Sequence, residues 1–298
     1  MVEIGGGLIF GLLVGSFLNV VIYRLPVMME RRWREESRNY LTEMGCKLPA
    51  ALTPNAAESA PFNLLTPRST CPACNNPIKA WQNVPVISWL LLRAQCAHCK
   101  APISARYPTI ELFTGLLSAA VIWKFGWNPA GWSVLGLSWA LIALTVIDID
   151  HQLLPDAITL PLMWAGLTLT ALQSALGPAA EALLPDLTDS VLGAIGGYLS
   201  LWSVYWAFKL ATGKDGMGYG DFKLLAALGA WMGYQMLPLI IVLSAAVGAS
   251  LGAGMIVIMG RDKQIPIPFG PYLAGAGLIA IMWGPSLIDS YLGYSGLS

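Results

Sequence analysis

The sequence predicts an all-α polytopic membrane protein of about eight transmembrane helices, with a single polar, cysteine-bearing insert between the first and second. Three observations carry this. Apolar residues make up 56% of the chain and charged residues only 11%, with a mean hydropathy of +0.61, outside the balance of a water-soluble domain. Long apolar stretches recur at about 4–23, 109–125, 132–147, 158–176, 190–208, 222–233, 236–259 and 269–288, most of them near the ~20 residues that span a hydrocarbon core. Finally, the basic residues are distributed on one side of these stretches.

The first segment opens on Gly5-Gly6-Gly7 without a basic leader region and has no small-residue cleavage site, so it reads as a retained anchor. The stretch 222–233 is short, and Gly233, Tyr234 and Pro238 alone divide it from 236–259, so seven or nine helices remain open. With the N-terminus outside, eleven Lys/Arg fall in 24–107, three (Lys209, Lys214, Lys223) near 209–223 and two (Arg261, Lys263) in 260–268, leaving only Lys124 outside. The positive-inside rule therefore sets the orientation, with the insert cytoplasmic.

The organisation predicted is a first helix over 1–25, the insert over 26–107 and a seven-helix membrane domain over 108–298. In the insert, Glu30 to Glu43 reads as a solvated or interfacial helix, with a dedicated binding helix as the alternative. Leu48 to Pro67 reads as a loop. Then come Cys71-Pro72-Ala73-Cys74 and Cys96-Ala97-His98-Cys99, two C-x-x-C knuckles 21 residues apart. Each knuckle presents two thiolates on one turn, and two complete a tetrahedral site, with structural zinc as the expected ion. Disulfides, iron and redox-active thiols are the competing readings. A reducing cytoplasm disfavours disulfides. His98 is either a substitute ligand or a bystander, and Cys46 is a plain thiol.

Two acids stand out in the membrane part. Asp148 ends the stretch 132–147 and Asp221 closes Gly218-Tyr219-Gly220-Asp221, neither with a basic partner built into its own segment. Acids at membrane depth are costly and mark functional sites. An even number of crossings, 158–176 and 190–208, separates them, so both face one side of the membrane. Neighbouring carboxyls share one proton. The ionised member can then deprotonate water while the protonated one donates to the carbonyl under attack, which is amide hydrolysis. The glycines at 216, 218 and 220 are expected to give the backbone before Asp221 unusual conformations and a peptide close approach. Ordinary readings stay beside this one. Asp221 can be a helix N-cap, and Asp148, Asp150 and Asp156 can be loop acids around Gln152–Pro155. A proton- or cation-coupled transporter would use the same acids, although no inverted repeat is visible.

Several blocks resemble the prepilin peptidases, also called type 4 prepilin leader peptidase/N-methyltransferases. They are Gly11-Leu12-Leu13-Val14-Gly15-Ser16-Phe17-Leu18-Asn19 with Tyr23-Arg24-Leu25-Pro26, the paired C-x-x-C insert, Arg106-Tyr107-Pro108 with Glu111, Asp148 to Asp156, Gly218 to Leu225, and Pro266-Ile267-Pro268-Phe269-Gly270-Pro271-Tyr272. G-x-G-D also marks presenilin-like intramembrane aspartyl proteases, so the combination is what is specific. The resemblance implies a bacterial inner-membrane aspartic peptidase with Asp148 and Asp221 as its catalytic pair and no catalytic metal. Its substrates would be type IV prepilins or type II secretion pseudopilins, with no nucleic acid partner. Cleavage would fall after a glycine on the cytoplasmic side, usually before a phenylalanine. The four-cysteine form implies methylation of the new N-terminus from S-adenosylmethionine as well, although the sequence displays no cofactor cradle of its own. The chain departs from the family in a longer outer loop near Gly177–Asp189. Asn19, Arg24, Glu111 and Lys223 are expected near the inner rim, lining a substrate path or, for Arg24 and Lys223, snorkelling to water.

Overall fold

The computed structural model describes residues 2–47, 49, 60–176, 184–259 and 267–295. All regular structure there is helical: α1 (Val2–Glu43), α2 (Ile87–Leu91), α3 (Arg106–Phe125), α4 (Pro129–His151), α5 (Asp156–Leu176), α6 (Leu187–Thr212), α7 (Tyr219–Met232), α8 (Leu237–Met259) and α9 (Gly270–Ser295). Short 3-10 turns lie at Ala80–Asn83 and Tyr234–Met236. Five of the described helical spans are long and apolar enough to cross a membrane: Val2–Glu43, Pro129–His151, Leu187–Thr212, Tyr234–Met255 and Gly270–Ser295. The chain forms two compact units, Met1–Trp123 and Lys124–Ser298. The basic residues Arg261 and Lys263, Pro266, and much of the loops at 48–67 and 177–189 lie outside the described residues.

In the first unit, α1 does not stop near Arg24, as the sequence expectation of a separate charged helix had it. It continues for 42 residues through Pro26, about 63 Å at 1.5 Å per residue, roughly twice the hydrocarbon thickness. Pro26 removes one helical hydrogen bond. Beyond it, Arg34–Glu30 and Arg32–Glu36 pairs at i,i+4 spacing carry the helix onward. Gly7, Gly11 and Gly15 face Ile122, Ser118 and the Glu111–Thr114 turn of α3 so closely that a Cβ would collide. Four-residue spacing on both helices makes this the small-residue contact of membrane helices, which gains from close backbone packing because lipid supplies no hydrophobic drive between helices.

Arg24 is not a snorkelling residue. It is 7% exposed, and its guanidinium donates to Asn63 O (2.8 Å) and Pro67 O (2.6 Å). Arg24 and Arg31 both stack on Phe62, so the loop after residue 60 is fastened to the extended half of α1.

In the second unit the short helix α7 is the centre. Every residue from Asp221 to Met232 except Lys223 is buried. It is encased because its neighbours offer glycines. Gly193 of α6 meets the Gly229 backbone, Gly197 meets Leu225 and Ala226, Gly166 of α5 meets Trp231, and Gly277 of α9 meets Leu228. Two hydrogen bonds fix the register: Ser190 donates to Ala230 O, and Trp231 Nε1 to Leu162 O at 2.8 Å. A helix covered on all sides by protein needs no full bilayer length, which accounts for the shortness of 222–233.

Gly193→Val would drive a side chain into the α7 backbone and should lower the melting temperature in detergent, with a cost of roughly 1–3 kcal/mol or more. Gly275→Ala, where nothing lies within 4 Å, should not. Equal melting of the two variants would contradict glycine-mediated packing of α7.

Candidate active site

Asp148 lies in the last turn of α4, which ends at Gln152 in the left-handed conformation (φ 53°), the Gln152 N–H bonding to Asp148 O at 2.9 Å. Asp221 lies in the first turn of α7 behind Gly218, which occupies the N-cap position. The N-cap reading of Asp221 therefore falls. Its side chain turns inward, the residue is 6% exposed, and Asp148 is 5% exposed.

The glycines beside the two acids meet at a common point, Leu154 in the α4–α5 connection. A Cβ on Gly220 would lie 2.7 Å from Leu154 Cβ. A Cβ on Gly270 would lie 3.1 Å from Leu154 Cδ2 and 2.6 Å from Asp148 Oδ2. Gly270, the first residue of α9, donates its N–H to Asp148 Oδ2 at 3.0 Å. Asp221 Oδ1 is buried with no hydrogen-bond partner among the described residues.

The glycines before Asp221 serve space more than torsion. None of Gly216, Gly218 and Gly220 has a positive φ. Gly216 lies against the Phe208 ring (2.8 Å to a would-be Cβ) and Gly220 against Leu154, while a Cβ on Gly218 would make only ordinary contact, 3.8 Å from Asp221 Oδ2. The left-handed glycine is Gly213 (φ 71°), which ends α6.

The remaining acids separate in role. Asp150 is exposed. Asp156 begins α5 and receives both bonds of Lys223 Nζ at 2.7 Å, so Lys223 ties the starts of α5 and α7 together and is not a free snorkelling cation. Glu111 belongs to the first unit. It is buried, and its Oε2 accepts from the N–H of Val86 at 2.8 Å. Val86 has φ 60°, an outlier for a β-branched residue, which a buried acceptor can hold in place. Asn19 Nδ2 donates to Tyr107 O at 3.2 Å in the same unit.

A cluster that sequence reasoning missed braces the loop before Asp221. Tyr205 donates to Asp215 Oδ1 (2.6 Å), Lys209 Nζ to the Tyr205 hydroxyl (3.0 Å), and Lys209 pairs with Asp215 at 2.9 Å. The Tyr205 hydroxyl, then Lys209, hold the Asp215 carboxyl below the usual carboxylate range. The Tyr205 ring packs on Tyr219 and Phe222, which flank Asp221. Tyr205 and Asp215 belong to no recognisable motif, so no sequence signal pointed to them.

The four knuckle cysteines do meet. The sulfurs of Cys71, Cys74, Cys96 and Cys99 all lie within 4.8 Å of one another, none in a disulfide. The Cys71–Cys99 separation is 3.8 Å, about the edge of a tetrahedron with ~2.3 Å metal–sulfur bonds. The donor set fits a four-thiolate metal site. The two halves are copies: Cys71–Ala80 and Cys96–Ala105 both read C-x-x-C-x-x-P-I-x-A. Cys71 N bonds to Asn76 O as Cys96 N does to Ala101 O, and Asn75 and Lys100 share a positive φ. Backbone N–H groups of Cys99 and His98 turn toward Cys96 Sγ and lower its pKa to about 6. At Cys74 the Asn76 backbone N–H pulls the same way, but desolvation and the neighbouring thiols push it up to about 11. Four thiols this close cannot all ionise without a cation. His98 is exposed and stands outside the sulfur cluster, as does Cys46.

Residues 9–125 match the bacterial peptidase A24 N-terminal domain, and residues 135–253 match the type IV leader peptidase family. A prepilin leader peptidase/N-methyltransferase of Stutzerimonas stutzeri is 52% identical over 97% of this chain and 94% of its own length. The chain belongs to the type IV leader peptidase family. Proteins of the same name from Aeromonas hydrophila (52% identical, covering 95% of this chain and 92% of that one) and Pseudomonas aeruginosa (50%, 97% and 93%) agree with that placement. No solved structure matches. Within this leader peptidase, both acids fall inside the second matched stretch, while Gly270 lies beyond it.

Purified protein should carry about one divalent ion per chain, with sulfur-only coordination by X-ray absorption. Cys71→Ser should release it and destabilise the insert. A metal-free protein whose insert resists proteolysis equally well would contradict this site.

Proposed function

We propose that this protein is a bifunctional enzyme of the bacterial inner membrane that removes the leader from type IV prepilins or pseudopilins and methylates the new N-terminus. Near full-length likeness to proteins named prepilin leader peptidase/N-methyltransferase supports both activities. The observation that carries the hydrolytic half is that two buried carboxyl groups, Asp148 and Asp221, stand next to glycines, Gly270 and Gly220, that both pack on Leu154.

In this reading the pair works as an aspartic dyad. One carboxylate takes a proton from water as its oxygen attacks the scissile carbonyl, and its partner protonates the carbonyl oxygen. This route requires no metal at the acids. The substrate is a precursor with a short basic leader ahead of an apolar helix, cut after glycine on the cytoplasmic side, so that the exposed amine is often that of phenylalanine. The distribution of basic residues supports that orientation. S-adenosylmethionine supplies the methyl group. The four cysteines, Cys71, Cys74, Cys96 and Cys99, would hold a structural zinc that gives a small insert its folding free energy. A transporter using the same acids finds no support among these relatives.

Asp148→Asn and Asp221→Asn should each leave the protein folded and slow leader removal by on the order of a thousand-fold or more. Asp150→Asn should retain substantial cleavage. The assay follows leader loss from a co-expressed precursor by gel mobility and methyl transfer to an already trimmed substrate by mass. Normal processing by either dyad variant would refute the aspartic reading.

A further inference from the structure

The block Pro266 to Tyr272 has no role in the chemistry so far, yet its glycine reaches the reaction centre. We infer that the Phe269-Gly270-Pro271 turn is a positioning element of the peptidase site, in which the Gly270 N–H keeps Asp148 as the water-activating carboxylate and leaves the shared proton on Asp221. This rests on the aspartic reading above and adds what that reading leaves open, namely which acid does which task and what holds it there.

A full account of the backbone donors opening α9 supports the assignment. Pro271 has no N–H. The N–H groups of Tyr272 and Leu273 both bond to Phe269 O, at 3.1 and 3.2 Å. Of these first positions Gly270 alone points its N–H at a side chain, and that side chain is Asp148. A helix N-terminus and a direct N–H donor both favour a negative oxygen. Pro271 next to Gly270 fixes the torsion with which the helix starts. Asp221 is the complement. Its carboxyl has the Gly218 backbone N–H on one side, but Oδ1 is buried with no hydrogen-bond partner among the described residues, an expensive setting for a charged oxygen and a tolerable one for a hydroxyl waiting to donate. Glycine at 270 is required by space, since any Cβ would lie 2.6 Å from Asp148 Oδ2 and 3.1 Å from Leu154 Cδ2.

The steps balance. Asp148 accepts a proton from water while the water oxygen bonds to the carbonyl carbon, and Asp221 gives its proton to the carbonyl oxygen. On collapse the C–N bond breaks, the nitrogen takes the proton from Asp148, and the hydroxyl of the diol returns one to Asp221. Both acids end as they began.

Two measurements test this. Gly270→Ala should lower kcat on the order of a hundred-fold with KM for the precursor within about two-fold, while Gly275→Ala, on the same helix away from the acids, stays at the wild-type rate. Infrared spectra at neutral pH should show a protonated carboxyl band in the wild type that disappears in Asp221→Asn. If Gly270→Ala cleaves at the wild-type rate while Asp148→Asn is inactive, the dyad stands and the positioning role is lost. If the band survives in Asp221→Asn, the proton resides elsewhere and the assignment is overturned, even should Gly270→Ala prove too unstable to assay. Should Asp148→Asn itself cleave normally, the aspartic reading fails before this inference is reached.

Discussion

Two carboxyl groups enclosed by apolar helices set the terms for the rest of the second unit. Removing one such group from water without a partner costs several kcal/mol. The surroundings must therefore be rigid enough to hold Asp148 and Asp221 in place. That rigidity comes from α7, clasped by glycines of α5, α6 and α9, and from polar ties at its start, where Lys223 binds Asp156 and Tyr205 binds Asp215. Because these ties lie at the same end as Asp221, the loop that presents the acid is braced on both sides while the acid itself retains an unpaired oxygen.

The first unit solves a different problem. An insert that buries few of its apolar side chains gains little from burial, so it relies on discrete polar attachments. Arg24 and Arg31 secure the loop at Phe62. Glu111 holds Val86 in a strained conformation, and two copies of one knuckle bring four sulfurs to a single point. The arginine and glutamate attachments leave from α1 and α3, and the knuckles tie the insert to itself.

Several of these features were legible from the residues. The apolar stretches located the long helices, and the C-x-x-C spacing predicted the sulfur cluster. The misreadings have physical causes. The charged segment from Glu30 to Glu43 suggested a helix separate from the first, but i,i+4 ion pairs carried α1 onward through it. Arg24 looked like a residue seeking water because an arginine at a helix end usually does, and its carbonyl partners lie 39 and 43 residues away. The glycines before Asp221 suggested unusual torsions, whereas they accommodate Phe208 and Leu154, contacts that linear order does not reveal.

By itself the sequence determined whatever depends on composition and local period: the membrane environment, the helical class and the paired spacing that brings four cysteines together. Tertiary structure alone decided what depends on residues far apart in the chain. Gly270 follows Asp148 by 122 positions and comes to it only because α9 packs against α4 and α7. A backbone N–H is present at nearly every position and carries no mark in the sequence, so the donor that meets a given carboxylate is known only once the helices are in place.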